Sequence, residues 1–169
     1  MSRKTLLIFG GIAILAIAVI AMTALLTPTQ TSPAAESALA FVQAVSRGDD
    51  AVAAPLLGDQ AAAYAAENCP DGSVSACVAA LIPAEWGNYI STVFRRATPD
   101  GDHWNIDLIS TYEHDLGGSG VCIYVRAEQN EAGNFEVAQY AGFVNCGDPA
   151  TRNMATNPDT PNRIPPTLE

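Results

Sequence analysis

The residues of this chain whose types and spacing could do chemistry are few. The densest group is Glu113-His114-Asp115, with His103 near the start of the same predicted strand and Arg96 on the strand before it. A histidine beside a carboxylate can act as a general base held by an orienting partner. An arginine facing them could bind a carboxylate in a fork. Arg96, His103, His114 and Asp115 are therefore the candidate ligand or polar site. The competing reading is a solvated strand end, and the sequence favours it. The loop Gly117-Gly118-Ser119-Gly120-Val121 has the outline of a nucleophile elbow but carries Val at the fifth position, and no strand–turn–helix follows. It also lacks the Gly-Lys-Ser/Thr ending of a phosphate loop. No catalytic residue, cofactor or metal is expected from these motifs, and the chain is not read as an enzyme.

The two arginines Arg95 and Arg96 are adjacent, so in a regular strand they would point to opposite faces. One of them could then enter a pocket while the other meets water. Trp86 and Trp104 are expected in the core or at its rim.

Cys69, Cys77, Cys122 and Cys146 are the cysteines. An even number in an oxidising compartment implies two disulfides. Three pairings are open, and Cys69–Cys77 with Cys122–Cys146 is the preferred one. There is no C-x-x-C, and neither histidine lies near a cysteine in sequence, which argues against zinc.

Those cysteines need export, and the N-terminus supplies a route. Residues 6–26 contain no charge, and 21 helical residues at 1.5 Å each reach roughly 30 Å, the thickness of a hydrocarbon core. A cleaved signal has a shorter apolar region that ends in a small-x-small site. Here Ala16-Ile17-Ala18 lies inside the run, so an uncleaved transmembrane helix is expected. Arg3 and Lys4 precede it and keep residues 1–5 in the cytoplasm by the positive-inside bias. Gly10, Ala13, Ala21 and Ala24 fall on one side of that helix, a face suited to close packing against another membrane helix.

All 18 acidic residues follow the apolar run, against six arginines and no lysine, which leaves the exported part at −12. Phosphate backbones would be repelled, so nucleic acid is excluded as a partner. Solubility explains this charge, and a basic protein partner would also fit it.

Residues 27–34 form a Thr- and Pro-rich linker, residues 35–146 a single domain, and residues 147–169 a tail rich in Pro and Asn with little to bury. In the domain, Ala38, Leu39, Phe41, Val42 and Val45 recur at helical spacing over residues 35–47. Ser32 and Pro33 supply a start, and Gly48 a stop. Asp49 or Asp50 can cap a second short helix, which Pro55 interrupts, and Asp59 a third with Ala61, Tyr64 and Ala65 inward. A further half-turn covers residues 78–82.

From Trp86 the period becomes two. Strands are expected over residues 89–97, 103–112, 121–128 and 135–144. Thr98-Pro99-Asp100-Gly101 makes the first turn, and residues 130–134 a hairpin in which Gly133 takes positive φ. On the second strand Trp104, Ile106 and Leu108 share one face, and Asn105, Asp107 and Thr111 the other. Helices followed by an antiparallel meander predict an α+β domain: short helices packed on a curved four-stranded sheet.

The run from Ala38 to Val45, then Gly48-Asp49, then residues 54–57 ending in Leu56-Leu57, resembles the opening of nuclear transport factor two-like domains. The likeness in motif covers residues 36–58. It implies a curved sheet wrapped on helices, forming a cone that can enclose a pocket; it carries over no catalytic residue, and such folds serve many functions.

The expected function is a non-catalytic, membrane-anchored accessory subunit or interaction domain, docked on a larger membrane complex, which could be an energy-converting one. The bilayer and other membrane subunits are the expected partners. The alternative is a tethered extracytoplasmic module, periplasmic or on the cell surface, holding a small ligand in a pocket lined by Trp104, Ile106, Val125 and residues near Phe135. An enzyme using His103 or His114 ranks third.

Overall fold

The computed structural model describes residues 15–18, 32–114 and 120–145, the last five of these by backbone only. The expected membrane helix over residues 6–26, its small-residue face, Asp115, Cys146 and the tail lie outside them, apart from a helical turn at residues 15–18. Among the described residues no helix is long and apolar enough to cross a membrane.

Helix α1, Pro33–Ser46, begins where Ser32 accepts a hydrogen bond from the Ala35 amide and Pro33 takes the first turn. Both devices satisfy or remove amides that would otherwise be orphaned at a helix start. The helix therefore takes in residues 33 and 34, which the sequence suggests as linker; Ala34 is already fully buried. Gly48, at φ +75°, ends it. Three short helices follow: α2 (Asp50–Ala53), α3 (Asp59–Asn68) and α4 (Val74–Ala79). Asp49 caps α2 through the Val52 amide, and a single 3-10 turn over Ala54–Leu56 carries Pro55. Asp59 does not cap α3; it is the first residue of the helix, and Gly58 stands at the cap.

Four strands then run as an antiparallel meander: β1 (Tyr89–Asp100), β2 (His103–Tyr112), β3 (Val121–Gln129) and β4 (Phe135–Asn145), in that order across the sheet. The α+β architecture with four antiparallel strands and short helices is as expected. The first turn differs. Strand β1 continues through Pro99 and Asp100, paired with Trp104 and His103, and only Gly101 and Asp102 turn. Proline is tolerated there because β1 is an edge strand.

Phe41, Val42 and Val45 of α1 meet Ile106, Leu108, Val121, Ile123, Val125 and Val137 in one apolar core. Each such side chain contributes about 1.5–3 kcal/mol on burial. Polar ties fix how the helix lies on the sheet. Ser37 Oγ donates to the Phe135 carbonyl on β4, and Gln43 Nε2 to the Thr92 carbonyl on β1. The helix thus reaches from one edge of the sheet to the other. At its end, Trp86, Tyr89 and Tyr112 stack in an aromatic corner, with Arg47 over the Tyr89 ring.

Register shifts occur in β1 around Ile90 and Arg95 and in β4 around Ala138. Each puts an extra residue in one strand, which bends it and adds twist.

Candidate functional site

The structure places the four candidate polar residues unevenly. His103 opens β2, whereas His114 lies past its end. Nine strand steps from His103 to Tyr112 at about 3.3 Å each put the two histidines roughly 30 Å apart. They do not share a site. The His114 amide donates to the Trp86 carbonyl, and Glu113 accepts from both the amide and the side chain of Asn88, which holds its carboxyl below the usual range. Asp115 lies outside the described residues. Arg96 and His103 do lie on one face of the sheet, the face away from α1.

That face has an unexpected order. Arg95 and Arg96 both stand opposite Asp107, because the shift between Phe94 and Arg96 inserts Arg95 as a bulge residue. A bulge sets two successive side chains to one side. Accordingly Arg96 donates to Asp107 Oδ2 at 2.7 Å, and Arg95 Nη1 donates to Cys122 Sγ at 3.5 Å. The sequence expectation of opposite faces is corrected by this insertion. Asp107 is 3% exposed and Asn105 1%, so the polar face of β2 is also buried. Loss of water raises the Asp107 carboxyl above its ordinary range, although the Arg96 hydrogen bond and charge pull it down. Tyr124 donates to Asn105 Oδ1, and Asn105 donates to Asp100. Further along, Glu128 pairs with Arg126 at 3.3 Å and lies 3.6 Å from His103. The ladder is paired apart from the buried Arg126 Nε, which makes no hydrogen bond and meets Glu128 only as a charge. His103 faces Glu128 across the strands as an ordinary neighbour.

The open space lies between α3 and β4, and it reaches Arg126 and Glu128 at the end of that ladder. One cleft, of about 530 Å³, is apolar: Phe41, Tyr64, Val74, Val78, Leu81 and Tyr140 are among its walls. The Cys69–Cys77 disulfide joins the end of α3 to α4 and forms part of the same wall. Cys122 is also in a disulfide, and its expected partner Cys146 lies outside the described residues. The second cleft, about 650 Å³, is lined by Asp59, Glu128, Glu131 and Glu136, with Arg126 as the cation among its described residues. The two adjoin along α3 and β4, with Gln60, Ala61, Ala138 and Gln139 in the walls of both.

Local sequence explains the groove. The β4 bulge places Ala138 and Gln139 where a regular strand would seat one residue. Gly58 donates to the Val137 carbonyl and holds the start of α3 against the strand. Half of helix α3 is alanine, so it fills little of the space beside β4. Two large apolar side chains at the groove, Tyr64 and Leu81, are 64% and 47% exposed. Tyr64 is thus outward, against the sequence expectation, while its neighbour Ala65 is the residue that the helix buries. The pocket expected at Trp104, Ile106, Val125 and Phe135 is likewise corrected. Ile106 and Val125 are fully buried, Trp104 and Phe135 pack against the same core, and none of the four lines the groove.

Compared with known families, curated proteins and solved structures, the chain matches no family model, no curated protein and no solved structure.

Proposed function

We propose that this chain is a non-catalytic interaction domain, anchored in a membrane by residues 6–26 and displayed on the extracytoplasmic side as an accessory subunit of a larger membrane assembly. The observation that carries the reading is the groove between α3 and β4, with Tyr64 and Leu81 exposed at it. Large side chains left in water beside an apolar cleft mark a surface that gains by being covered. The uncharged N-terminal run with basic residues only before it supports the anchor and its direction. The Cys69–Cys77 disulfide supports an oxidising compartment. Helices leading into a bulged meander support kinship with nuclear transport factor two-like domains.

A second reading has one observation in its favour. The apolar half of the groove falls within the range of volumes that hold small ligands, about 300–1,000 Å³. Extraction in mild detergent followed by native mass spectrometry separates the two. A stoichiometric protein partner that is lost in the Tyr64→Ser, Leu81→Ser double variant is the expected result. A monomer carrying a small bound mass would replace the first reading with the second, and a bare monomer would remove both.

A further inference from the structure

We propose that residues 147–169 cross the outer face of the sheet, the face turned from α1, as a strap tied at its start to Cys122. The ground for this is burial without a described cover. On that face Tyr124 is 2% exposed, Cys122 3%, Asp107 3% and Asn105 1%. A sheet packed on one side commonly leaves its other side in water. Here the middle of the other side is dry. Neither Tyr124 nor Cys122 belongs to the apolar core that α1 shares with the sheet. Among the described helices α1 is the one that packs across β2 and β3, and it does so on the opposite face. Neighbouring side chains do only part of the covering. Arg96 closes on Asp107 and Arg95 reaches Cys122, yet both arginines are themselves exposed.

The path of the chain names the occupant. In β4, Val144 stands opposite Cys122 and Asn145 opposite Val121. Cys122 is in a disulfide, and with Cys69 tied to Cys77, Cys146 is the cysteine left to it. That link draws the chain out of β4 on the side to which Cys122 points, and 23 residues follow it. From Cys122 to Asn105 is roughly 14 Å, four strand positions and one strand spacing, which about five extended residues cover. The N-terminal stretch arrives elsewhere: Ser37, near the start of α1, bonds to Phe135 at the opposite end of β4. The composition of residues 147–169 suits a polar face. Its prolines bring no amide that would need a partner there, and its Asn and Thr side chains offer both donors and acceptors. The middle of the outer face is thereby taken by the chain itself, and a partner is left the cleft between α3 and β4.

The test places benzoylphenylalanine at position 95 of the full chain in mild detergent, an exposed position on this face. The expected result is an adduct within the same chain that peptide mapping finds in residues 147–169. An adduct to a co-purifying protein would assign the face to a partner, and one to residues 1–31 would assign it to the N-terminal stretch. Either of these, or no adduct, would overturn the inference. Hydroxyl-radical footprinting reads Tyr124 directly, with the 64% exposed Tyr64 as the reference. Tyr124 should be protected in the full chain and gain label several-fold in a chain ended after Cys146, which keeps the link to Cys122. Unchanged protection in the shortened chain would show that neighbouring side chains alone keep the ring dry. Strong labelling in the full chain would show that the face is open. Each contradicts the strap. Tyr112, 3% exposed in the core, monitors folding. If it gains label as well, the shortened chain has unfolded and the adduct from position 95 decides.

Discussion

Arg95 and Arg96, neighbours in the chain, act on the same face of the sheet, because one bulge sets both against Asp107. Arg96 closes on that carboxylate, and Arg95 reaches the sulfur of Cys122. The buried Asp107 carboxylate is thereby answered from the neighbouring edge strand.

The Arg96–Asp107 pair sets a prediction in pH. Asp107 is buried while Arg96 is 43% exposed, so the pair is worth less than a fully buried one. Arg96→Met should cost about 1–2 kcal/mol at pH 7, because it leaves a buried carboxylate without its cation. In the native protein the Asp107 carboxyl is raised above its unfolded value of 3.8. Its contribution to stability is therefore full below that value and fades as pH rises through the folded one. Removing Arg96 takes away the opposing pull and raises it further. Urea unfolding of the variant should accordingly show a loss that shrinks between pH 7 and pH 4. A constant loss would mean that Asp107 is not the group responsible.

Two glycines with similar φ should respond differently to alanine. Gly48, at φ +75°, has nothing within 4 Å of where an alanine methyl would stand, so Gly48→Ala should cost only the backbone strain, about 1 kcal/mol. Gly120, at φ +73°, would place that methyl 2.5 Å from Ile109 Cγ2 and 3.2 Å from the Ser110 carbonyl oxygen. Strain plus that clash should cost about 2–4 kcal/mol. Thermal melts of the two variants give the comparison, and equal shifts would contradict it.

Alkaline stability should depend on the aromatic corner. Burial pushes the Tyr112 hydroxyl up to about 12, and it pushes Tyr140 well above its ordinary value. The unfolded phenols lose their protons near pH 10, before the folded ones. Stability from this source is complete below pH 10 and is lost as pH rises toward 12. Tyr112→Phe should flatten that fall, read as the pH midpoint of unfolding by circular dichroism. An unchanged midpoint would show that Tyr112 ionises as freely in the fold as outside it.

The Cys69–Cys77 link closes a short loop, with a sequence separation of 8. Loop-closure entropy for that length amounts to about 2.5 kcal/mol, an upper figure for this link because disulfides often deliver less than chain entropy predicts. Replacing both cysteines by serine should lower stability by up to that amount. It should also loosen the joint between α3 and α4, seen as faster amide exchange in residues 59–79. Exchange that stays unchanged would mean that packing alone holds the two helices.

Much of the fold is legible in the sequence because its signals are local. Ser32-Pro33 announces the start of α1, alternation gives β2 its two ends, and Gly133 at φ +84° marks the last hairpin. What alternation does not carry is an inserted residue. Nothing in Phe94-Arg95-Arg96 announces a bulge, so the two arginines are legible only as a strand pair. The pairing Cys69–Cys77 could be read from closeness in the chain. The groove could not, because it joins α3 to β4 across some seventy residues, and because the bulk of Tyr64 says nothing of which way its helix turns. The histidines mislead for the opposite reason: they are close in sequence, yet an extended strand keeps them at its two ends.

The central claim is that the groove between α3 and β4 is where a protein partner sits. Its most direct test is site-specific photo-cross-linking on the intact chain in its own membrane, with benzoylphenylalanine placed at position 64 in the groove or at position 93. Val93 is 52% exposed on strand β1, at the other edge of the sheet, and serves as the control. A single discrete protein adduct from position 64, lost on adding Leu81→Ser, with none from position 93, is the predicted result. Adducts of equal yield from both positions, or none from position 64, would contradict it.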